Sequence, residues 1–271
     1  MNESTESQKR EADSESKEDG VASKKVKIES SVMGSDENGV NQLTFHIEAD
    51  AAEDKGSRHA MEDAWVLLPD ASLDYPGNLR CAHFAIYDGH GGRLAAEYAQ
   101  KHLHGNVLSA GLPRELLDIK TAKRSILDGF RKTDESLLQE SSEGGWQDGA
   151  TAVCVWVLGQ KAGGFVSSDG RLQGRLEVSR AFGDRQLKKV GVTATPDIYS
   201  FDLTDRVHFI ILGCDGLWGV FGPSDAVDFV RKLLNEGLPV TSISRRLVRE
   251  AVRERRCKDN CTAIVIVFKR N

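Results

Sequence analysis

The sequence predicts an α+β fold of packed sheets with helices, and three observations point there. Apolar strand-like runs gather toward both ends of the 271-residue chain, longer helical stretches lie between them, and acidic residues stand where several strands run out. Sheets and helices segregated in this way bury their apolar faces as stacked layers. No internal repeat is present.

The elements follow in order. Residues 1 to about 41 hold no Phe, Tyr or Trp and are rich in Glu, Ser, Lys and Asp, so they bury too little apolar surface to offset the entropy of ordering. A globular part is expected over 42–271. Leu43, Phe45 and Ile47 alternate with polar neighbours, the period of a half-buried strand. Ala64 to Leu68 reads as a second strand, and Cys81 to Tyr87 as a buried one running straight into Asp88. Helices are expected from Arg93 to about Leu108 and from Arg114 to Glu140, the latter with a stripe of Leu117, Ile126, Leu127, Phe130 and Leu137. Thr151–Leu158 and Val207–Cys214 are further strands. Gly222-Pro223 opens a helix, with Pro at the tolerated first position, and Val227, Val230 and Leu234 follow on one face. Ile243, Leu247, Val248, Ala251 and Val252 mark a last helix, and Thr262–Phe268 a closing strand.

Composition narrows the function. A net charge of −5 and a pI near 5.9 argue against nucleic acid as partner. No apolar stretch approaches the roughly 18 residues that span a bilayer, and the first residues lack the apolar core of a secretory signal. The five cysteines have no metal-type CxxC spacing, and Cys81, Cys154 and Cys214 fall in or beside apolar runs, so reduced buried thiols are expected. Lys24-Lys25-Val26-Lys27 resembles a short nuclear-import signal, against the plainer reading of a solvated basic patch. Residence in both nucleus and cytoplasm is the expectation.

The chemistry lies in the acidic residues: Glu62-Asp63, Asp88-Gly89-His90-Gly91-Gly92, Asp148-Gly149, Asp215-Gly216 and Asp259-Asn260. Carboxylates gathered at strand ends form a hard, oxygen-rich site suited to Mg²⁺ or Mn²⁺. Adjacent glycines let backbone approach a ligand closely. The pattern points to metal-assisted hydrolysis, with a phosphate ester as the expected substrate.

Taken in order, Arg58-x-x-x-Glu62-Asp63, the Asp88–Gly92 loop, Asp148-Gly149-Ala150-Thr151-Ala152, Val178-Ser179-Arg180-Ala181-Phe182-Gly183-Asp184, Cys214-Asp215-Gly216-Leu217-Trp218 and Asp259-Asn260 resemble the metal-dependent protein phosphatase 2C family. Within it they are similar to the plant-type branch that includes the integrin-linked-kinase-associated phosphatase. The resemblance implies two antiparallel sheets flanked by helices, a monomer, and hydrolysis of phosphoserine and phosphothreonine in protein substrates. It implies that Asp88 bridges two Mg²⁺ or Mn²⁺ ions, with the Gly89 carbonyl, Glu62, Asp63, Asp215 and Asp259 binding them directly or through water. Asp148 matches a ligand of a third, weaker ion. Arg58 matches the residue that grips the substrate phosphate, where a planar guanidinium suits bidentate recognition. His90 matches the general acid that protonates the departing oxygen. For each there is a plainer reading: a turn-forming Asp-Gly, an exposed charged loop, a structural histidine.

One departure stands out. Val157-Leu158-Gly159-Gln160 runs directly into Lys161-Ala162-Gly163-Gly164, and several dozen residues of the family pattern, including strands beside the one that starts at Asp148, are missing between Gln160 and Lys161. The expectation is unpaired strand backbone at that point. Two other readings compete with an active phosphatase: a shortened non-catalytic form that binds partners or competes with a complete enzyme, and a different two-metal hydrolase such as a nuclease. Assays on phosphopeptide and on nucleic acid discriminate them.

Overall fold

A computed structural model describes residues 45–71, 81–112, 119–158, 161–166 and 179–270. The charged tail, Leu43 and the start of the second helix at Arg114 lie outside the described residues. The chain runs β1 (Phe45–Asp54), β2 (Ala64–Leu68), β3 (Cys81–His90), α1 (Leu94–Ser109), α2 (Ile119–Gly144), β4 (Gly149–Leu158), β5 (Lys161–Val166), β6 (Phe182–Gly183), α3 (Arg185–Lys188) and β7 (Asp197–Asp202). It continues through β8 (Phe209–Gly213), α4 (Asp215–Trp218), α5 (Pro223–Asn235) and α6 (Val240–Arg249), a π-type turn at Glu250–Glu254, and β9 (Cys261–Arg270).

Among the described residues the pairs of these strands are all antiparallel and fall into two sheets. One has the order β1-β9-β8; the other runs β2-β3-β4-β5-β7, with β6 paired to β4. The period of two along each strand sets the layers. Ala82, Phe84 and Ile86 of β3 meet Val155 and Val157 of β4 and Ile264 and Ile266 of β9 between the sheets. The alternate residues Ala85 and Tyr87 face outward, packing with Ala99 and Leu103 of α1 and Ile126, Phe130 and Leu137 of α2. On the far side Ala263, Val265 and Val267 of β9 pack with Val230 of α5 and with Ile243 and Leu247 of α6. Four layers result, helix–sheet–sheet–helix. Each fully buried large aliphatic or aromatic side chain contributes about 1.5–3 kcal/mol to holding them together. Leu127, read as part of the apolar stripe, is instead on the exposed side of α2.

The shortened stretch does not leave β4 unpaired. Lys161–Val166 folds back as β5 against Val153–Leu158, and the other side of β5 pairs with β7 from Val166↔Asp197 to Lys161↔Asp202. A ladder is made of backbone N–H and C=O groups that every non-proline residue carries, so the next extended segment can take the place of a lost one.

Candidate metal centre

The same alternation carries carboxylates to one end of the layer between the sheets. Asp88 continues the inward register of Ala82, Phe84 and Ile86. On β9, Thr262 continues that of Ile264 and Ile266, and its Oγ1 donates to Asp63 Oδ2 at 2.6 Å. Asp63 sits in the loop just before β2 with 1% of its surface exposed. Asp215 begins α4, where β8 runs out. Asp63, Asp88 and the Cys214 sulfur place one ligand atom each within 4.8 Å of one another.

Burial of Asp88 pushes its carboxyl up to about 8, helped by the neighbouring charges of Asp63, Asp215 and Asp259 and opposed by a hydrogen bond from the Asp215 backbone. Burial likewise pushes Asp63 up to about 6, with Asp215 adding to it, while bonds from Thr262 and Cys214 act the other way. Asp63 Oδ1, the carboxylate oxygen that Thr262 does not reach, is buried and has no hydrogen-bond partner among the described residues. An orphaned carboxylate oxygen among like charges is stabilised by a cation, so this donor set fits a hard divalent metal. Cys214 is not a suitable ligand for such an ion. Burial raises its thiol well above the ordinary range, which keeps it protonated, and its sulfur accepts from the Thr262 N–H at 3.1 Å.

Two loops close the rim. Asn260, 8% exposed, donates through Nδ2 to the carbonyls of Lys55 and Ala60, at 3.0 and 2.9 Å, and accepts from the Glu62 N–H at 2.7 Å. One side chain thereby holds the loop that carries Arg58, Glu62 and Asp63 against the end of β9. Arg58 Nη2 donates to Asp259 Oδ2 at 2.6 Å, in a largely exposed pair. That bond, then the Asp259 charge, raises the guanidinium above its usual range. Gly89 lies so close to the Glu62 carbonyl that a Cβ there would collide with it.

Around Asp148 the arrangement differs. Its Oδ2 accepts from the Leu94 N–H at 2.9 Å, so the carboxylate caps the first turn of α1, where an anion also suits the helix dipole. His90 Nε2 lies 2.8 Å from Asp184 Oδ2. The structure therefore brings Arg58, Glu62, Asp63, Asp88, Gly89, Asp215 and Asp259 to one rim, and sets His90 and Asp148 beside it at the start of α1. The sequence by itself gives no role to Asn260, Thr262 or Asp184. Asn260 and Asp184 lie inside the family-like motifs; nothing local marks Thr262, whose role depends on a contact across the two sheets.

The comparisons agree with this geometry. The profile of the family described as Protein phosphatase 2C matches residues 47–162 and 160–261. "Probable protein phosphatase 2C 8" of Arabidopsis thaliana is 64% identical over 280 aligned positions, covering 83% of this chain and 80% of that protein. Because 83% of 271 residues is about 225, about 55 of those positions have no counterpart here. The profile resumes at residue 160, which places the gap at the Gln160–Lys161 junction. The crystal structure of serine-threonine phosphatase 2C from Toxoplasma gondii shares the fold, with a TM-score of 0.70 at 20% identity over 82% of this chain and 95% of that one. Two antiparallel sheets with an acidic rim define the class: this chain belongs to the protein phosphatase 2C family. Within that family of protein serine/threonine phosphatases it is of the plant type, and "Integrin-linked kinase-associated serine/threonine phosphatase 2C" of Mus musculus is 34% identical over 83% of the chain and 74% of that protein.

Proposed function

We propose that this chain hydrolyses phosphoserine and phosphothreonine esters in proteins, using Mg²⁺ or Mn²⁺ held by Asp63, Asp88, Asp215 and Asp259, with Glu62 and the Gly89 carbonyl completing the set. The observation that carries this reading is the Asp63–Asp88 pair, one buried and one half-buried carboxylate pushed toward protonation, with one Asp63 oxygen unpartnered among the described residues. Two divalent cations, when bound, supply an activated water and neutralise charge on the phosphoryl oxygens. Arg58 stands at the exposed rim and binds the substrate phosphate once it exchanges Asp259 for it. His90 protonates the departing serine or threonine oxygen, and Asp148 supports the start of α1 and a weaker third cation.

The test is hydrolysis of a phosphothreonine peptide by the purified 271-residue chain, with Mg²⁺ or Mn²⁺ and with EDTA. Turnover that requires the metal supports the reading; equal turnover in EDTA, or cleavage of nucleic acid in its place, overturns it. We also propose that residues 1–41 act on location and leave chemistry to 42–271, distributing the protein between nucleus and cytoplasm. A fluorescent fusion of 1–41 that stays out of the nucleus overturns that assignment.

A further inference from the structure

The Val178–Asp184 motif ends in an aspartate that the proposed chemistry does not use. Asp184 is 6% exposed and lies outside the carboxylate rim, yet its Oδ2 is 2.8 Å from His90 Nε2. Its backbone is left-handed, at φ 51° and ψ 45°, a conformation that most side-chain-bearing residues avoid and that aspartate, with its short polar side chain, adopts as a single residue. Its surroundings hold it from three sides. The Asp184 N–H donates to the Asp148 carbonyl at 3.2 Å, and the Gly183 N–H to Asp134 Oδ1 at 2.9 Å. Lys188 Nζ reaches both Asp134 Oδ2 and the Ala181 carbonyl at 2.7 Å. Gly149 faces the pair directly: a Cβ on it would collide with His90 Nε2 and with the Asp184 carboxylate. The second residue of Asp148-Gly149 therefore leaves the space in which the two side chains meet.

We infer that Asp184 is a positioning residue for His90. Its carboxylate accepts the Nε2–H, which holds the imidazole in one orientation and leaves Nδ1 as the nitrogen that serves the leaving group. This inference rests on the acid role given to His90 above. As a water-derived oxygen bonds to phosphorus, the P–O ester bond breaks; its electron pair goes to the serine or threonine oxygen, which takes the proton from His90 Nδ1. The ring is left neutral, its Nε2–H still donating to Asp184 Oδ2. Such a pair matters in proportion to how poor the leaving group is. An alkoxide needs the proton; 4-nitrophenolate leaves without one.

The experiment compares Asp184→Asn, His90→Gln and the double variant with the parent, on a phosphothreonine peptide and on 4-nitrophenyl phosphate, at saturating Mn²⁺. The expected result is that each single change lowers kcat on the peptide at least tenfold more than on the nitrophenyl ester, with peptide KM little changed, and that the double variant is no worse than His90→Gln. Asp184→Asn slowing both substrates equally, or neither, overturns the inference while leaving the His90 role standing. His90→Gln slowing both equally overturns the two together. A second readout needs no variant of Asp184 to fold: ¹⁵N spectra of the Mg²⁺-loaded parent, with the His90 signal assigned from its loss in His90→Gln. They are expected to show Nε2 protonated; a ring protonated only at Nδ1 overturns the pairing.

Discussion

Asp88 combines two opposed demands, since a half-buried, desolvated carboxylate among other carboxylates is costly without a cation and needed with one. Asp88→Asn is therefore expected to abolish the thermal shift produced by Mn²⁺ and to cut turnover roughly a thousandfold, several kcal/mol of lost transition-state stabilisation. In the metal-free protein the same change is expected to raise the melting temperature. The pH dependence follows from the direction of the shift. A carboxyl raised from 3.8 to about 8 contributes stability that is fully present below pH 3.8 and lost as pH rises through 8. In EDTA the parent should melt at progressively lower temperature between about pH 4 and pH 8, and Asp88→Asn should flatten that decline; parallel curves would refute the burial argument. Arg58 belongs to a different class of effect. Its side chain is 62% exposed and its one strong bond is to Asp259, so Arg58→Ala should raise KM for a phosphopeptide about tenfold while the Mn²⁺ thermal shift persists. Titration calorimetry with Mn²⁺ checks the second half.

At the scale of elements, β5 carries the most weight for its size. It lies between β4 and β7, bonded on both sides. Proline cannot donate to a ladder and is excluded from central strands, so Gly164→Pro leaves a buried carbonyl without its donor and should cost roughly 1–3 kcal/mol by urea denaturation; an unchanged midpoint would mean that the sheet does not run through β5. The strands flanking the chemistry were legible beforehand because their apolar residues alternate or run unbroken: β1, β2, β3, β4, β8 and β9 lie within a few residues of where periodicity put them. β5, β6 and β7 were not. Lys161–Val166 contains two adjacent glycines, β6 is two residues long, and β7 is mostly exposed, with Tyr199 and Phe201 outward. None of the three presents a period that a sequence can display. Their place is set by backbone pairing with strands that do.

For the molecule as a whole, the two sheets meet where their charged ends repel, and a cation bound there would join what repulsion separates. EDTA is expected to stop hydrolysis and lower the melting temperature. Added Mg²⁺ or Mn²⁺ at about a hundred times its dissociation constant should restore roughly 2.7 kcal/mol, or about 5–10 °C for a chain of this size; differential scanning fluorimetry across a metal titration reads it directly.

The residue types, their order and their neighbours determined much of this protein without coordinates. Acidic residues at strand ends require an oxygen-loving cation, the spaced motifs fit one family, and the break at Gln160–Lys161 is visible because both flanks match. Only the tertiary structure decided which polar groups meet. Asn260 bonds to Lys55, Ala60 and Glu62 about two hundred residues away, Asp184 meets His90, and Asp148 caps α1. It also decided that β5 fills the place beside β4. Periodicity is a local property and survives in the linear chain. The partner of a hydrogen-bonding group depends on how two sheets stack and where a turn points, and those are set by the packing of the whole.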